Sequence, residues 1–267
     1  MYKNSPDRTH TITLHLLALA IGALLMGALM TVPTTARASV SYEPVTSLPG
    51  QLGSQSTGSQ VELSFDGQTR AYAFRKLGQG GNPNRTRIVY SGDRGGTWQS
   101  HYVTEATVPS DGGVLGMSDD GQIMAVSYKR YPGVYAKFTF DGGANWSMEK
   151  TLSDGTSGRA WAPKVAVSGN GQTLVHSWFQ KVSGKDTAHF TFSSDAGQTW
   201  SNPIQPSTPG ATEHDVNVAT SADGQTIALG WKSDNTTTQG YYTFDGGLNW
   251  IAKNISAEGT GTTGSSM

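Results

Sequence analysis

From residue 61 to residue 250 the apolar positions fall into short runs separated by clusters of Gly, Asp, Asn and Ser. Val165-Ala166-Val167 is followed by Thr173-Leu174-Val175-His176-Ser177-Trp178-Phe179 and then by Ala188-His189-Phe190-Thr191-Phe192. Runs this short, with β-branched and aromatic residues between turn formers, predict strands, and no helical period is evident after Ser39. Between the paired runs stand Ser64-Phe65-Asp66-Gly67-Gln68, Ser118-Asp119-Asp120-Gly121-Gln122, Ser168-Gly169-Asn170-Gly171-Gln172 and Ser221-Ala222-Asp223-Gly224-Gln225, spaced 54, 50 and 53 residues apart. An Asp-Gly or Asn-Gly pair in this setting predicts a hairpin, because glycine accepts the positive φ that tight turns need.

A second motif interleaves with the first. It reads Ser91-Gly92-Asp93-Arg94-Gly95-Gly96-Thr97-Trp98, and it returns at Thr139 to Trp146, Ser193 to Trp200 and Thr243 to Trp250, with its aspartates 48, 54 and 50 residues apart. One unit is therefore two consecutive hairpins, four antiparallel strands A to D, and a period near 50 residues marks a stacked array such as a β-propeller. The expected blades cover about 61–98, 116–146, 165–200 and 218–250. Within each motif the Ser or Thr and the aspartate accept backbone N–H bonds, and the tryptophan opening strand D is a large apolar wedge between sheets.

Ser-x-Asp-x-Gly-x-Thr-Trp resembles the Asp-box of the BNR repeat propellers of the sialidase superfamily. The resemblance spans residues 61 to 250, and copies one and three fit at every position. Copies two and four carry Thr for Ser and Asn for Thr, changes that keep the turn chemistry. It implies an all-β propeller in which Asp93, Trp98, Asp141, Trp146, Asp195, Trp200, Asp245 and Trp250 are structural and lie away from the active face. Such domains usually have six blades, so four complete repeats imply an incomplete or truncated ring. Ser41 to Leu48 resembles a lone strand D, and Thr262 to Met267 stops where strand A of a fifth blade would begin. Open sheet edges would then favour self-association.

Lys3 and Arg8 precede the apolar run Leu16 to Met30, and Ala36-Arg37-Ala38 supplies a small-residue cleavage site. Residues 1–38 read as a secretory signal peptide and 39–267 as the exported propeller, with no membrane span expected after cleavage. The mature part carries 16 Lys and Arg against 19 Asp and Glu, a formal charge of −3, which gives no electrostatic footprint for nucleic acid. With no cysteine in the chain, no disulfide framework can form. Dispersed histidines at 101, 176, 189 and 214 have no metal-ligand spacing, so neither metal nor cofactor is expected.

If the A–B and C–D turns share one end of the array, the B–C and D–A connections share the other, where loops on a rigid scaffold would carry function. Aligning the A strands places Thr57, Asp111, Trp161 and His214 at equivalent entrances. Trp161 could stack on a sugar ring, with Arg159, Glu213, His214 and Asp215 nearby in the chain; a solvated loop beside a packing tryptophan accounts for the same residues. Arg75 and Arg87, with Lys76 and Arg85, form a cationic group able to recognise carboxylates, or they are ordinary solubilising charges. His176 and Trp178 share one side of strand B and read as core.

The resemblance also makes a catalytic demand: three arginines on a substrate carboxylate, a tyrosine–glutamate nucleophile and an aspartate acid/base. Phe74-Arg75-Lys76-Leu77 keeps only the first two positions of the signature near the first arginine, and no arginine follows Arg159. The expected function is a non-catalytic module binding glycans or other cell-surface ligands through Arg75, Arg87, Arg159, Trp161 and His214. A glycoside hydrolase using Asp111 with Glu213 or Asp215 stays open, as does a protein-interaction scaffold.

Overall fold

Among the described residues fifteen strands, all paired antiparallel, follow one another in chain order. The computed structural model describes residues 56–206, 213–234 and 237–256, all within the unit Ser47–Met267. The expected leader at 1–38, the segment Ser41 to Leu48 and the tail Thr262 to Met267 lie outside the described residues. Sheet one holds β1 (Ser56–Leu63), β2 (Arg70–Lys76), β3 (Arg85–Ser91) and β4 (Gln99–Tyr102). Sheet two holds β5 (Asp111–Met117), β6 (Met124–Arg130), β7 (Gly133–Thr139) and β8 (Lys150–Ser153). Sheet three holds β9 (Ala160–Val167), β10 (Leu174–Val182) and β11 (Lys185–Ser193); sheet four holds β12 (Glu213–Thr220), β13 (Ile227–Ser233), β14 (Thr237–Thr243) and β15 (Ile251–Asn254).

Each sheet is a meander in sequence order, and this is a β-propeller of the expected four repeats. The sheets begin five residues earlier than the repeat boundaries read from the turns, at 56, 111, 160 and 213. Sheet three departs from the four-strand expectation. Its last strand is reduced to a bridge between Phe190 and Ile204: two residues on, where the next exchange with β11 would fall, Pro206 has no N–H to donate, and on the other side the pairing slips so that Ser201 N donates to Phe192 O.

The first strands of successive sheets adjoin, β1 to β5, β5 to β9 and β9 to β12, which places them along the axis and the short fourth strands at the rim. A relay of backbone bonds ties the A–B turns together. Phe65 N donates to Asp119 O at 2.8 Å, Asp119 N to Gly169 O at 2.9 Å, and Asn170 N to Ala222 O at 2.8 Å. Within each sheet the A–B turn also meets the Asp–Trp turn, as when Arg94 N donates to Gln68 O and Ala196 N to Gln172 O. Both kinds of turn therefore occupy one end, and the B–C and D–A connections occupy the other.

Apolar cores lie between neighbouring sheets. Ala71, Ala73 and Ile88 of sheet one pack with Leu115, Met124 and Tyr128 of sheet two, and Trp146 closes that layer. Trp200 does the same between sheets two and three, and Trp250 between sheets three and four. The tryptophans are thus wedges against the preceding sheet. Burying a side chain such as Trp178 or Phe190, both fully enclosed, contributes on the order of 2–3 kcal/mol before entropy is counted. His176 is fully buried among them, 5.5 Å from the Phe138 ring and 5.3 Å from the Trp200 ring, as its core reading implied.

Candidate functional site

Every inner strand carries a β-bulge at the same place, one residue after the aligned entrance positions. Thr57 pairs with Arg75, Asp111 with Lys129, Trp161 with Phe179 and His214 with Lys232, and the register then shifts. The residue that follows each entrance has positive φ: Gly58 at 58°, Gly112 at 64°, Ala162 at 49° and Asp215 at 55°. Opposite each bulge stands a buried aromatic of the second strand, Phe74, Tyr128, Trp178 or Trp231. A bulge twists its strand and re-aims the residues on either side. Glycine adopts this conformation freely, whereas Ala162 and Asp215 hold it at a cost of about 1 kcal/mol or more each.

Those two strained residues line a single cleft between sheets three and four, of about 310 Å³. Trp161 of β9 and Phe179 of β10 form its apolar wall, their rings 6.3 Å apart. Lys164, Asp186, Asp215 and Asn217 add polar groups. Asp186 accepts an ion pair from Lys181 at 2.8 Å, and Lys181 Nζ lies 5.8 Å from the Trp161 ring centroid. Arg159 is 5.7 Å from the same ring and 5.8 Å from the exposed ring of Tyr131. Half-buried Trp161 is therefore a flat surface edged by two cations and facing carboxylates, an arrangement suited to an uncharged ring bearing hydroxyl groups.

Glu213 lines the floor of this cleft but is only 2 % exposed, and its carboxylate accepts the backbone N–H of Ala188. Asp215 is exposed at the mouth. For His214 the structure establishes the β12 backbone position alone. Asp111 is elsewhere: it accepts from Arg75 Nη1 at 3.1 Å where β2 of sheet one meets β5 of sheet two. Arg87 is 8 % exposed, donates to Ser100 Oγ at 2.7 Å and belongs to the outer half of sheet one. Arg159, Trp161, Glu213 and Asp215 thus come together, whereas Asp111, Arg75 and Arg87 do not join them. Lys164, Asp186 and Asn217 were not singled out in the sequence; no motif marks them, and only the packing of β9 against β12 brings them in.

The Asp–Trp turns have the predicted internal chemistry. Ser91 Oγ donates to Asp93 at 2.7 Å, and Thr97 donates to it from both N and Oγ1 at 2.7 Å. In copies two and four Asn145 Nδ2 and Asn249 Nδ2 replace the threonine hydroxyl, each 2.7 Å from its aspartate. Among the described residues there is no cluster of three or more His, Asp or Glu able to hold a metal ion, and no helix long and apolar enough to cross a membrane.

No family model matches the sequence, and no curated protein matches it either. Solved structures are similar in fold. A leech intramolecular trans-sialidase superposes with a TM-score of 0.53 at 11 % identity, over 83 % of this chain and 54 % of that one. Trypanosoma rangeli sialidase gives 0.48 at 12 % identity, over 74 % and 38 %. An α-L-arabinofuranosidase from Fusarium graminearum gives 0.47 at 14 % identity, over 78 % and 68 %. The chain spans about half the length of the leech enzyme, and the likeness to it is one of fold: a β-propeller.

Proposed function

We propose that the chain is an exported, sialidase-like Asp-box propeller that binds a glycan without cleaving it, in the cleft between sheets three and four. The observation that carries this reading is the convergence of Trp161 with Asp186, Asp215 and Asn217 on one 310 Å³ cleft whose two bulge residues are strained. Backbone strain is retained where the surrounding structure uses it, and binding sites are a common place for it. The cleft's volume stands at the low end of small-ligand pockets, about 300–1,000 Å³. Against catalysis count the ion pairing of Asp111 with Arg75 outside the cleft and the burial of Glu213 against Ala188 N. The four Asp–Trp turns and the leader at 1–38 support the family and export parts of the reading.

A second reading has one observation in its favour. Glu213 and Asp215 both line the cleft, and glycoside hydrolysis needs two carboxylates flanking one bond. One experiment separates the two: binding of the purified protein to a glycan array, alongside release of reducing sugar from the glycans it retains. Selective binding that falls about tenfold or more in Trp161→Ala, with no sugar released, is the expected result. Sugar release abolished by Asp215→Asn would replace the binder with the hydrolase. A folded protein that retains no glycan would overturn both and leave the interaction scaffold.

A further inference from the structure

A second cleft, of about 600 Å³, opens at the rim of sheet one, between the β2–β3 loop and the end of β4. Its chemistry is the reverse of the first. Lys76, Arg85 and Tyr102 line it together with Gln79 and Asn82, and no carboxylate belongs to its wall. The Arg85 guanidinium carbon lies over the Tyr102 ring, 3.7 Å from its centroid, while Lys76 Nζ is 5.7 Å and Arg87 5.3 Å from the same centroid. Three cations thus surround one phenol. The three ion pairs among the described residues are Arg75–Asp111, Arg130–Glu149 and Lys181–Asp186, so neither Lys76 nor Arg85 is neutralised by an acid. Glu105, in the adjoining loop, is exposed and pairs with neither.

Like charges gathered around one ring repel one another, and a bound anion would offset that repulsion. Stacking on Tyr102 and the Arg85 Nη1 bond to Thr104 O at 3.1 Å hold the guanidinium in place, which makes its remaining donors a pre-set fork. Gly80 and Gly81 both have positive φ, and a Cβ on either would meet nothing within 4 Å, so the backbone path rather than crowding requires glycine there.

We propose that this cleft binds an oxyanion of its ligand, a carboxylate, sulfate or phosphate, through Lys76, Arg85 and the Tyr102 hydroxyl. The site is separate from the Trp161 cleft, on another sheet and at the rim rather than the axis. A saccharide with an acidic substituent would reach it as readily as a free inorganic anion would.

Calorimetric titration of the whole protein with inorganic sulfate, with trigalacturonate and with neutral maltotriose tests this. Sulfate and trigalacturonate should bind and weaken with added salt, and Lys76→Gln combined with Arg85→Gln should weaken both by about tenfold or more. Trp161→Ala should leave anion binding unchanged, so failure here and failure of the glycan cleft are distinguishable. Trigalacturonate binding much more tightly than sulfate would identify an acidic saccharide as the source; equal affinities would identify the free anion. An independent readout guards against a variant that unfolds. Burial pushes the Tyr102 phenol up, but the Lys76 hydrogen bond and the charges of Arg87, Lys76 and Arg85 outweigh it and hold the phenol below its ordinary range. A bound anion should therefore move its ultraviolet titration upward. Absence of anion binding to the wild-type protein at millimolar concentration, or binding untouched in both the double variant and Tyr102→Phe, would overturn the proposal.

Discussion

The aspartates of the four Asp–Trp turns are exposed or half-buried, yet the bonds of the turn hold them firmly in the ionised state. Bonds donated chiefly by Thr97, Thr199 and Thr243 hold Asp93, Asp195 and Asp245 at about 2, and Asp141 is lowered in the same way by Asn145. Since Asn replaces Thr in two natural copies and reaches its aspartate at 2.7 Å, as the Thr97 hydroxyl does, Thr199→Asn should change stability by less than about 0.5 kcal/mol, while Asp195→Ala should lower the melting temperature clearly. Equal losses in the two variants would refute that account of the turn. Burial acts in the opposite sense on the histidines. It lowers His176 to about 3 and His101 and His189 to about 4, with Lys150 and Lys137 adding to the effect at His176 and His101. The unfolded chain takes up these protons near pH 6.5, so stability present at neutral pH should begin to fall below about pH 6.5, by up to about 1.4 kcal/mol per pH unit for each fully buried histidine. The turn aspartates lose their contribution later, as pH falls from near 4 through about 2. Urea midpoints measured at intervals of pH should show two declines, and a flat midpoint between about pH 7 and pH 5 would remove the histidine part.

At the scale of the element, the four bulges make a controlled comparison. Gly112 has φ of 64° and space for a Cβ, so Gly112→Ala should cost about 1 kcal/mol through backbone strain alone. Ala162→Gly at the equivalent place should stabilise by a similar amount, read as opposite shifts of the denaturant midpoint. Asp215→Gly should likewise relieve strain while weakening glycan binding, the signature of strain kept for function. If Ala162→Gly destabilises, the bulge is not strained and that argument for the cleft falls. These bulges also mark how far the sequence could be read. The turns were legible because Asp-Gly, Asn-Gly and the Asp–Trp motif each have few conformations open to them, and the entrance positions fell into register from that spacing. The bulges themselves were not legible: glycine at 58 and 112 has many uses, and nothing at Ala162 or Asp215 signals a left-handed residue. Trp161, Glu213 and Asp215 could be grouped by the repeat, whereas the Arg75–Asp111 pair depends on how one sheet meets the next. Tyr102 carried no signal either: it ends a four-residue strand, and only the fold sets it beneath Arg85.

Across the whole molecule, stability should be distributed as in other stacked arrays, where each unit gains only from its neighbours. Sheets two and three are flanked on both faces. Sheet one packs sheet two with one face and, among the described residues, exposes the other. The repeat makes the contrast quantitative, because Val61 and Leu63 are 53 % and 57 % exposed, while their counterparts Leu115 and Met117 in sheet two are 3 % and 8 %. Apolar residues on this face of the unit should therefore have unequal worth in the two sheets. Leu115→Ala removes a side chain packed against sheet one and should cost about 2–5 kcal/mol, whereas Leu63→Ala should cost less than about 1 kcal/mol. Urea denaturation at two protein concentrations reads both the difference and its cause. If Leu63→Ala costs as much as Leu115→Ala regardless of concentration, the outer face of sheet one is covered by the chain itself. If its cost grows with concentration, the cover is a second copy, since only association makes stability depend on protein concentration. A small and concentration-independent cost means that the outer face of sheet one stays open to solvent, with stability concentrated in sheets two and three and the Trp161 cleft built where sheet three meets sheet four.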